Sequence, residues 1–481
     1  MPKYGIVVMG ATGFTGNLIT RYLAHRLKAR NPRNVKVAIA GRSKDKLAAQ
    51  ASVLRGLGLQ VDTLCADATS AQDMLRVAQA GSAIINVAGP FAKYGERLVA
   101  AVAQTPGAAY FDLTGEMPWV DDMIQRYNAA AQENGALLVP TCGFDSVPSD
   151  MTAYLAAKFT QDKLGGHCAS VQVQQEAQGG ASGGTIASAL NLFEYPRGIS
   201  RSLDPVLLDK VGIPGDAETQ AEAMQAVARP SGIQAIPGMA DFVVPHRDAG
   251  SGKWATAFVM GSVNTRVTRR SATLWAASSS SAGYNEPGQS VDVSEVALVQ
   301  SLVVAWLMTV VPMLFSVLLA IGPLRRAAVR LLPAPGTGPD AEQRSKSWFK
   351  TTAVAHVYGQ PNTRVLARIQ GGDAGYEDTA KMLSEAALTW LEQRDSGKLP
   401  ATSAFTKLGF LTPATALGLP YIANLHAAGL AMRVAQAAAS QSTQTALPDS
   451  DTASSLSEFL AQHDIEIPAR IPDASAVLRA K

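Results

Sequence analysis

The stretch YGIVVMGATGFTGNLITRYLAHRL, Tyr4 to Leu27, constrains the fold more than any other part of the chain. Tyr4 to Met9 is an almost wholly apolar run, as a parallel strand is when both its faces are covered. Gly10, Gly13 and Gly16 follow at once, and then Ile19, Tyr22, Leu23 and Leu27 recur at helical spacing. Strand, glycine turn and helix in that order set backbone N–H groups and the positive end of a helix dipole around an anion. The GxxGxxG spacing differs from the commoner GxGxxG, yet it meets the same needs: a tight turn, close approach of backbone to phosphate, and close packing of helix on strand. The turn Gly10, Ala11, Thr12, Gly13, Phe14, Thr15 and Gly16 is therefore read as a pyrophosphate cradle.

The second strand, in VKVAIAGRSKDKL, indicates which dinucleotide fits. Where a fold that holds NAD offers a carboxylate to the ribose 2′-hydroxyl, this chain has Gly41, Arg42 and Ser43. Arg42 and Ser43 suit a 2′-phosphate through charge-assisted hydrogen bonds, so NADP(H) is the expected cofactor; the alternative for Arg42 is an ordinary solvated loop cation. Strands near residues 60–64, 83–87, 109–111 and 136–139 alternate with helices over 71–80, after Gly95 and before Gly135. This is the pattern of a doubly wound parallel sheet, assigned to residues 1–160 as an NADP-binding Rossmann domain. Ala88, Gly89 and Pro90 lie just past a strand's carboxyl end and are expected to line the dinucleotide.

The same strand ends hold the acids that could do chemistry. YFDLTGE brings Asp112, Thr114 and Glu116 to one of them, although Thr114 and Glu116 also suit the cap and first turn of the following helix. CGFDSVPSD puts Asp145 in a turn after the next strand, with Ser146 read as a helix cap before Pro148. Tyr94 is a candidate proton donor to a reduced substrate, with plain packing as the alternative. A rival triad, Thr141 with Tyr154 and Lys158 in Y-x-x-x-K, mimics the Ser/Thr–Tyr–Lys set of short-chain dehydrogenases. The catalytic expectation is Asp145, Tyr94 and Glu116.

Composition excludes other classes. A net charge of +3 without clustered cations argues against nucleic acid. Cys65, Cys142 and Cys168 are far apart, which suggests no disulfide framework, no metal site and a reducing, cytoplasmic compartment. No leader precedes the first strand, so a mature start is expected.

After residue 165 the pattern becomes that of a second, α+β domain, assigned to 161–295 and 340–440, which would roof a cleft for a small substrate. Strands are expected in CASVQVQQEA, KWATAFVMGSV, TAVAHVYG and TRVLARIQ, and a glycine cluster in GGASGGT. Between Val296 and Ile321 there is no charged residue over 26 positions, more than the roughly 20 that span a hydrocarbon core. Residues 296–330, with Arg325, Arg326 and Arg330, are read as a hydrophobic membrane-associating segment that kinks back at Pro312 or lies in the interface; a buried helix is the alternative. Residues 441–481 are read as a mobile tail.

Five of these motifs occur in order: GATGFTG, AGRS, NVAGPFAKYGERLV, YFDLTGE and CGFDSVPSD. Together they resemble the saccharopine dehydrogenase-like oxidoreductases, closely from Gly5 to about Phe159 and again at GYEDTAKMLSEAAL and GFLTPATALG. The branch resembled most includes the trans-acting enoyl reductases of lipid biosynthesis and the animal saccharopine dehydrogenase-like proteins, some of them found on lipid droplets. The resemblance implies NADPH-dependent reduction of an activated C=C bond in a hydrophobic or lipid-linked substrate beside a membrane or lipid droplet. Two other readings stay open. One is a saccharopine-type C–N oxidoreductase, which needs cations to hold carboxylates; the other is a non-catalytic nucleotide-binding protein coating a membrane or droplet.

Overall fold

The computed structural model describes residues 2–31, 33–178, 217–225, 243–278, 282–285, 290–321, 338–399, 407–438 and 454–480, with a few isolated positions between them. The early apolar runs become six parallel strands: β1 (Tyr4–Met9), β2 (Val37–Gly41), β3 (Val61–Cys65), β4 (Gly81–Asn86), β5 (Ala109–Asp112) and β6 (Leu137–Val139). Between and after them run α1 (Phe14–Ala29), α2 (Lys44–Gly56), α3 (Ala71–Ala80), α4 (Phe91–Tyr94), α5 (Glu96–Ala103), α6 (Met117–Glu133) and α7 (Val147–Leu164). Local chemistry sets the helix ends. The Ser43 and Ser70 hydroxyls accept from Lys46 N and Asp73 N, and Pro118 and Pro148 sit in first turns that need no N–H. Gly165, at φ 62°, ends α7 in the left-handed region where a side chain would be strained.

A second sheet follows, built from β7 (Cys168–Gln178), β8 (His246–Arg247), β9 (Trp254–Thr256), β10 (Asp292–Val299), β11 (Trp348–Val357), β12 (Gln360–Gly371) and, after β13 (Gly409–Phe410), β14 (Ala431–Ala438). Its order is β14-β12-β11-β7-β10-β9-β8, antiparallel except for the β7–β10 pair. The remaining described helices are α8 (Ala217–Gln225), α9 (Gly261–Ala276), α10 (Leu302–Ala320), α11 (Ala341–Lys346), α12 (Glu377–Gln393), α13 (Pro413–Ala427), α14 (Ser454–Ala461) and α15 (Ser475–Arg479).

The expected Rossmann sheet and second α+β part are both present, but their sequence boundaries differ from those expected. Strand β13 joins the first sheet, pairing in parallel with β6 (Gly409 opposite Leu137) in the order β13-β6-β5-β4-β1-β2-β3. Helix α12 packs on α1, where the Tyr22 hydroxyl and Arg26 Nε donate to Glu385 at 2.7 and 2.8 Å. The apolar face of β1, β5 and β6 shares one core with α7, α12, α13 and the second sheet.

The described part of the last forty residues is not loose. Phe459 and Leu460 are fully buried, Arg21 donates to Ala480 O at 2.7 Å, and Arg479 pairs with Glu377 at 2.9 Å. Apolar residues spaced among polar ones hold this polar stretch down, a feature its average composition concealed.

The uncharged run is also divided. Val296–Val299 belong to β10, paired with β7 and β9, and α10 begins only at Leu302. Helix α10 runs through Pro312 without turning back. Among the described residues, no helix is long and apolar enough to cross a membrane. The GGASGGT cluster and Arg325, Arg326 and Arg330 lie outside the described residues.

Candidate functional site

Strands β1, β4, β5 and β6 are neighbours in the first sheet, so the segments leaving their carboxyl ends lie side by side along the edge where sheets of this kind form their ligand cleft. The glycine turn comes first. Gly10 has φ +85°, and a Cβ there would come within 2.9 Å of Ala88 N; a Cβ on Gly16 would overlap the Gly10 carbonyl oxygen. Both positions require glycine. Gly13 is the N-cap of α1 and supplies no side-chain cap, and no acid stands in the first turn. Asn17 N already donates to Gly13 O, which leaves the amides of Phe14, Thr15 and Gly16 as first-turn donors without an intrahelical acceptor. The donor set fits a pyrophosphate. Ala11 is buried and Thr12 half-buried, while the Phe14 ring packs edge-on against Tyr376 at 5.2 Å.

Arg42 is exposed at the end of β2, beside the turn: a Cβ on Gly41 would stand 3.7 Å from the Thr12 hydroxyl. No acid occupies that strand end, which fits a 2′-phosphate and does not offer the usual partner of a free 2′-hydroxyl. After β4, Ala88 N donates to Asn86 Oδ1 at 3.1 Å, and the Gly89–Pro90 peptide is cis.

The β5 loop is built around two carboxylates already engaged by protein donors. Asp112 is fully buried and accepts from Tyr110 OH at 2.8 Å and from the backbone N–H groups of Thr114 and Thr141 at 3.0 Å each. Burial pushes its pKa up to about 6 against the pull of those hydrogen bonds. It thereby ties the β5 loop to Thr141, which holds φ +63° at the end of β6. A β-branched residue in that region needs such a tether. Glu116 accepts from Phe91 N at 3.0 Å and Ala92 N at 2.8 Å, so it caps α4. Both oxygens are committed to amides, which is the helix-start role open to Glu116 beside the catalytic one.

Asp145, in the turn after β6, differs. Its carboxylate is half-buried, and among the described residues no hydrogen-bond donor or cation reaches it. Desolvation alone pushes its pKa up to about 6. A Cβ on Gly115 would stand 3.5 Å from Asp145 Oδ2 and 3.5 Å from Met260 Cε, so Asp145 lies where the β5 loop meets the second part of the chain.

The turn is held firmly from outside. Phe144 N donates to Thr379 Oγ1 at 3.0 Å, and the Phe144 ring stacks edge-on against Phe349 at 5.0 Å. Ser146 does not cap α7; its hydroxyl donates to Asn264 Oδ1 at 3.4 Å. Asn264, Ser149 and Gln175 all donate to Glu295 Oε1, at 2.9, 3.2 and 2.8 Å. This buried network, with Met260, went unread in the sequence. A lone Glu inside the apolar VDVSEVALV was its available signal; Met260 gave none.

Two other candidates are resolved by packing. Tyr94 packs half-buried against the cluster around Trp119, with Lys93 Nζ 5.3 Å from its ring, and no hydrogen bond joins it to Asp145. Tyr154 is buried and stacked on Trp275 at 5.8 Å, and burial raises its hydroxyl pKa. Lys158 pairs with Asp162 at 2.8 Å, so the Tyr–Lys triad is a helix packing feature.

The saccharopine dehydrogenase NADP-binding domain model matches residues 6–139. A Mycobacterium tuberculosis protein provisionally named trans-acting enoyl reductase is 32% identical over 454 residues, covering 91% of this chain and 98% of its own. The trans-acting enoyl reductase of Mycobacterium bovis is 29% identical over 447 residues, covering 89% and 97%. Among solved structures, apo saccharopine dehydrogenase (L-Glu forming) from Saccharomyces cerevisiae aligns over 90% of this chain and 99% of its own, at 10% identity and a TM-score of 0.49. Fold, turn and matches together define an NADP(H)-dependent oxidoreductase. The chain belongs to the saccharopine dehydrogenase-like family, in the group of the trans-acting enoyl reductases.

Proposed function

We propose that this protein is an NADPH-dependent enoyl reductase for a hydrophobic or lipid-linked substrate, working at a membrane or lipid-droplet surface. The observation that carries the reading is continuity: the glycine turn touches Ala88, Glu116 binds the amides after Pro90, and Gly115 adjoins the unpartnered Asp145. Cofactor site and acid share one line of strand ends. The names of the curated relatives supply the reaction class.

In this reading the turn from Gly10 to Gly16 holds the pyrophosphate, Arg42 and Ser43 take the 2′-phosphate, and Ala88, Gly89 and Pro90 flank the dinucleotide. Bound there, NADPH supplies a hydride to the β-carbon of an enoyl group. The α-carbon then requires a proton, which we assign to the Asp145 carboxyl. A pKa near 6 keeps part of this group protonated close to neutral pH, and its exposed side lets water restore the proton. One hydride and one proton thus saturate one C=C bond.

The saccharopine-type alternative is less favoured. Two of the three arginines of α9 bind backbone carbonyls: Arg266 that of Ser262, and Arg270 those of Leu208 and Phe410. The lipid setting is supported by the exposed apolar face of α10.

Titration of the purified protein with NADPH and NADH, followed by nicotinamide fluorescence and then by addition of an enoyl thioester, tests the reading. Preferential NADPH binding with oxidation on adding the thioester is expected. Binding without NADPH oxidation when short- or long-chain enoyl thioesters are added overturns the reductase; failure to bind either nucleotide overturns the cofactor site as well.

A further inference from the structure

Eleven of the seventeen exposed large hydrophobic side chains among the described residues lie between Leu302 and Ile321. Single exposed apolar residues are ordinary; a concentration of this kind marks a contact surface. What covers it can be read from its width. At 100° per residue, the exposed positions from Leu302 through Val303, Leu307 and Leu314 to Phe315 sweep an arc of about 220°. The buried Ala305 and Thr309 lie on the narrow remaining stripe, facing Thr256 and Val243. A helix that meets a protein partner presents a stripe roughly 100° wide. An apolar arc twice that width is covered most simply by a fluid that wraps it, namely lipid acyl chains. Trp306, exposed near the start of α10, is a residue favoured at the boundary between acyl chains and headgroups.

The base of α10 is tied to the cleft by a short piece of chain. Thr256 Oγ1 donates to Ala305 O at 2.8 Å and lies 2.7 Å from Thr309 Oγ1. Three residues on, Val259 is 67% exposed, and the next residue, Met260, reaches the Gly115–Asp145 contact. Four residues of extended chain span at most about 14 Å, so the apolar helix and the cleft are close neighbours.

We propose that α10 docks in the acyl layer of a lipid surface, and that the turn at Val259 and Met260 leads the substrate's acyl chain from that layer into the cleft. The docking stands on the α10 geometry; the delivery step rests on the reductase reading. A lipid tail then reaches Asp145 along apolar surface without first being exposed to water.

Flotation with vesicles of equal parts phosphatidylcholine and phosphatidylglycerol tests the docking, using the full chain and a Leu307→Asp/Leu314→Asp variant. Wild type is expected to float and the variant to remain below, with NADPH affinity unchanged as the check on folding. If the aspartate variant fails that check, Leu307→Ser/Leu314→Ser replaces it. For a long-chain trans-2-enoyl thioester in vesicles, kcat/KM should fall at least about tenfold in the variant, while a short water-soluble enoyl thioester is turned over as before. Wild type that does not float, or that associates through α10 with a second protein copy instead, overturns the docking. Lost flotation with an unchanged long-to-short ratio overturns delivery. Absence of turnover with both substrates overturns the reductase reading and delivery with it, and leaves flotation to decide the docking alone.

Discussion

Two neighbouring strand ends carry acids at the site, fully buried Asp112 and half-buried Asp145, and they use them in opposite ways. After β5, Asp112 and Glu116 are saturated by backbone amides and a tyrosine hydroxyl. After β6, Asp145 has no donor among the described residues, although its turn is clamped by Thr379, Asn264 and the Glu295 network behind it. Burial lifts both Asp112 and Asp145 to about 6. What separates them is the commitment of their lone pairs: one carboxylate holds loops together, and the other is the one to which the proposed reduction assigns the proton. A shifted pKa alone does not distinguish these roles; the hydrogen-bond partners do.

The largest effect that sharpens this contrast is on turnover. Asp145→Asn should lower kcat by about 100- to 10,000-fold, the range of a lost general acid, with NADPH affinity and urea midpoint nearly unchanged. In wild type, kcat should fall as pH rises through about 6, because the proton-donating form is lost there; the variant should lack that limb. An equal loss of stability in Asp145→Asn would break the contrast. Asp112→Ala should behave in reverse, orphaning Thr114 N, Thr141 N and Tyr110 OH at a cost of about 3 kcal/mol or more in urea unfolding.

A smaller effect concerns the cofactor. Arg42→Ala should weaken NADPH about 10- to 100-fold and leave NADH unchanged, as measured by fluorescence titration. The smallest is a slope. Asp150, buried beneath Ser271 and the amide of Ala414, is raised by burial to about 7. The native state thus keeps a proton that the unfolded chain releases near 4, and the associated stability is present below about pH 4 and lost as pH rises through about 7. Asp150→Asn should flatten the decline in unfolding free energy across that window.

The first sheet was legible because its signals are local: apolar runs alternating with helical spacing, and three glycines at fixed spacing. The cofactor turn followed from the same stretch. What escaped reading depends on distant chain. Strand β13 is two residues long and takes its place only by pairing with β6. Val296–Val299 read as the start of a lipid-seeking run, yet they are the end of a strand, with Val296, Ala297 and Leu298 buried, since apolarity does not tell a core strand from a membrane segment. Glu116 looked catalytic by position, and only the amides of Phe91 and Ala92 reveal its use. Asp145 could be nominated from its turn, but its lack of partners is a property of the folded site.

The most direct measurement of the central claim is isotopic. A single turnover of an enoyl thioester with NADPH deuterated in its transferable position, run in ordinary water and read by mass spectrometry and NMR of the product, should place deuterium on the β-carbon and a solvent hydrogen on the α-carbon of a saturated chain. Deuterium found at the carbonyl carbon, or an enoyl group recovered unsaturated while NADPH is oxidised, would contradict the account.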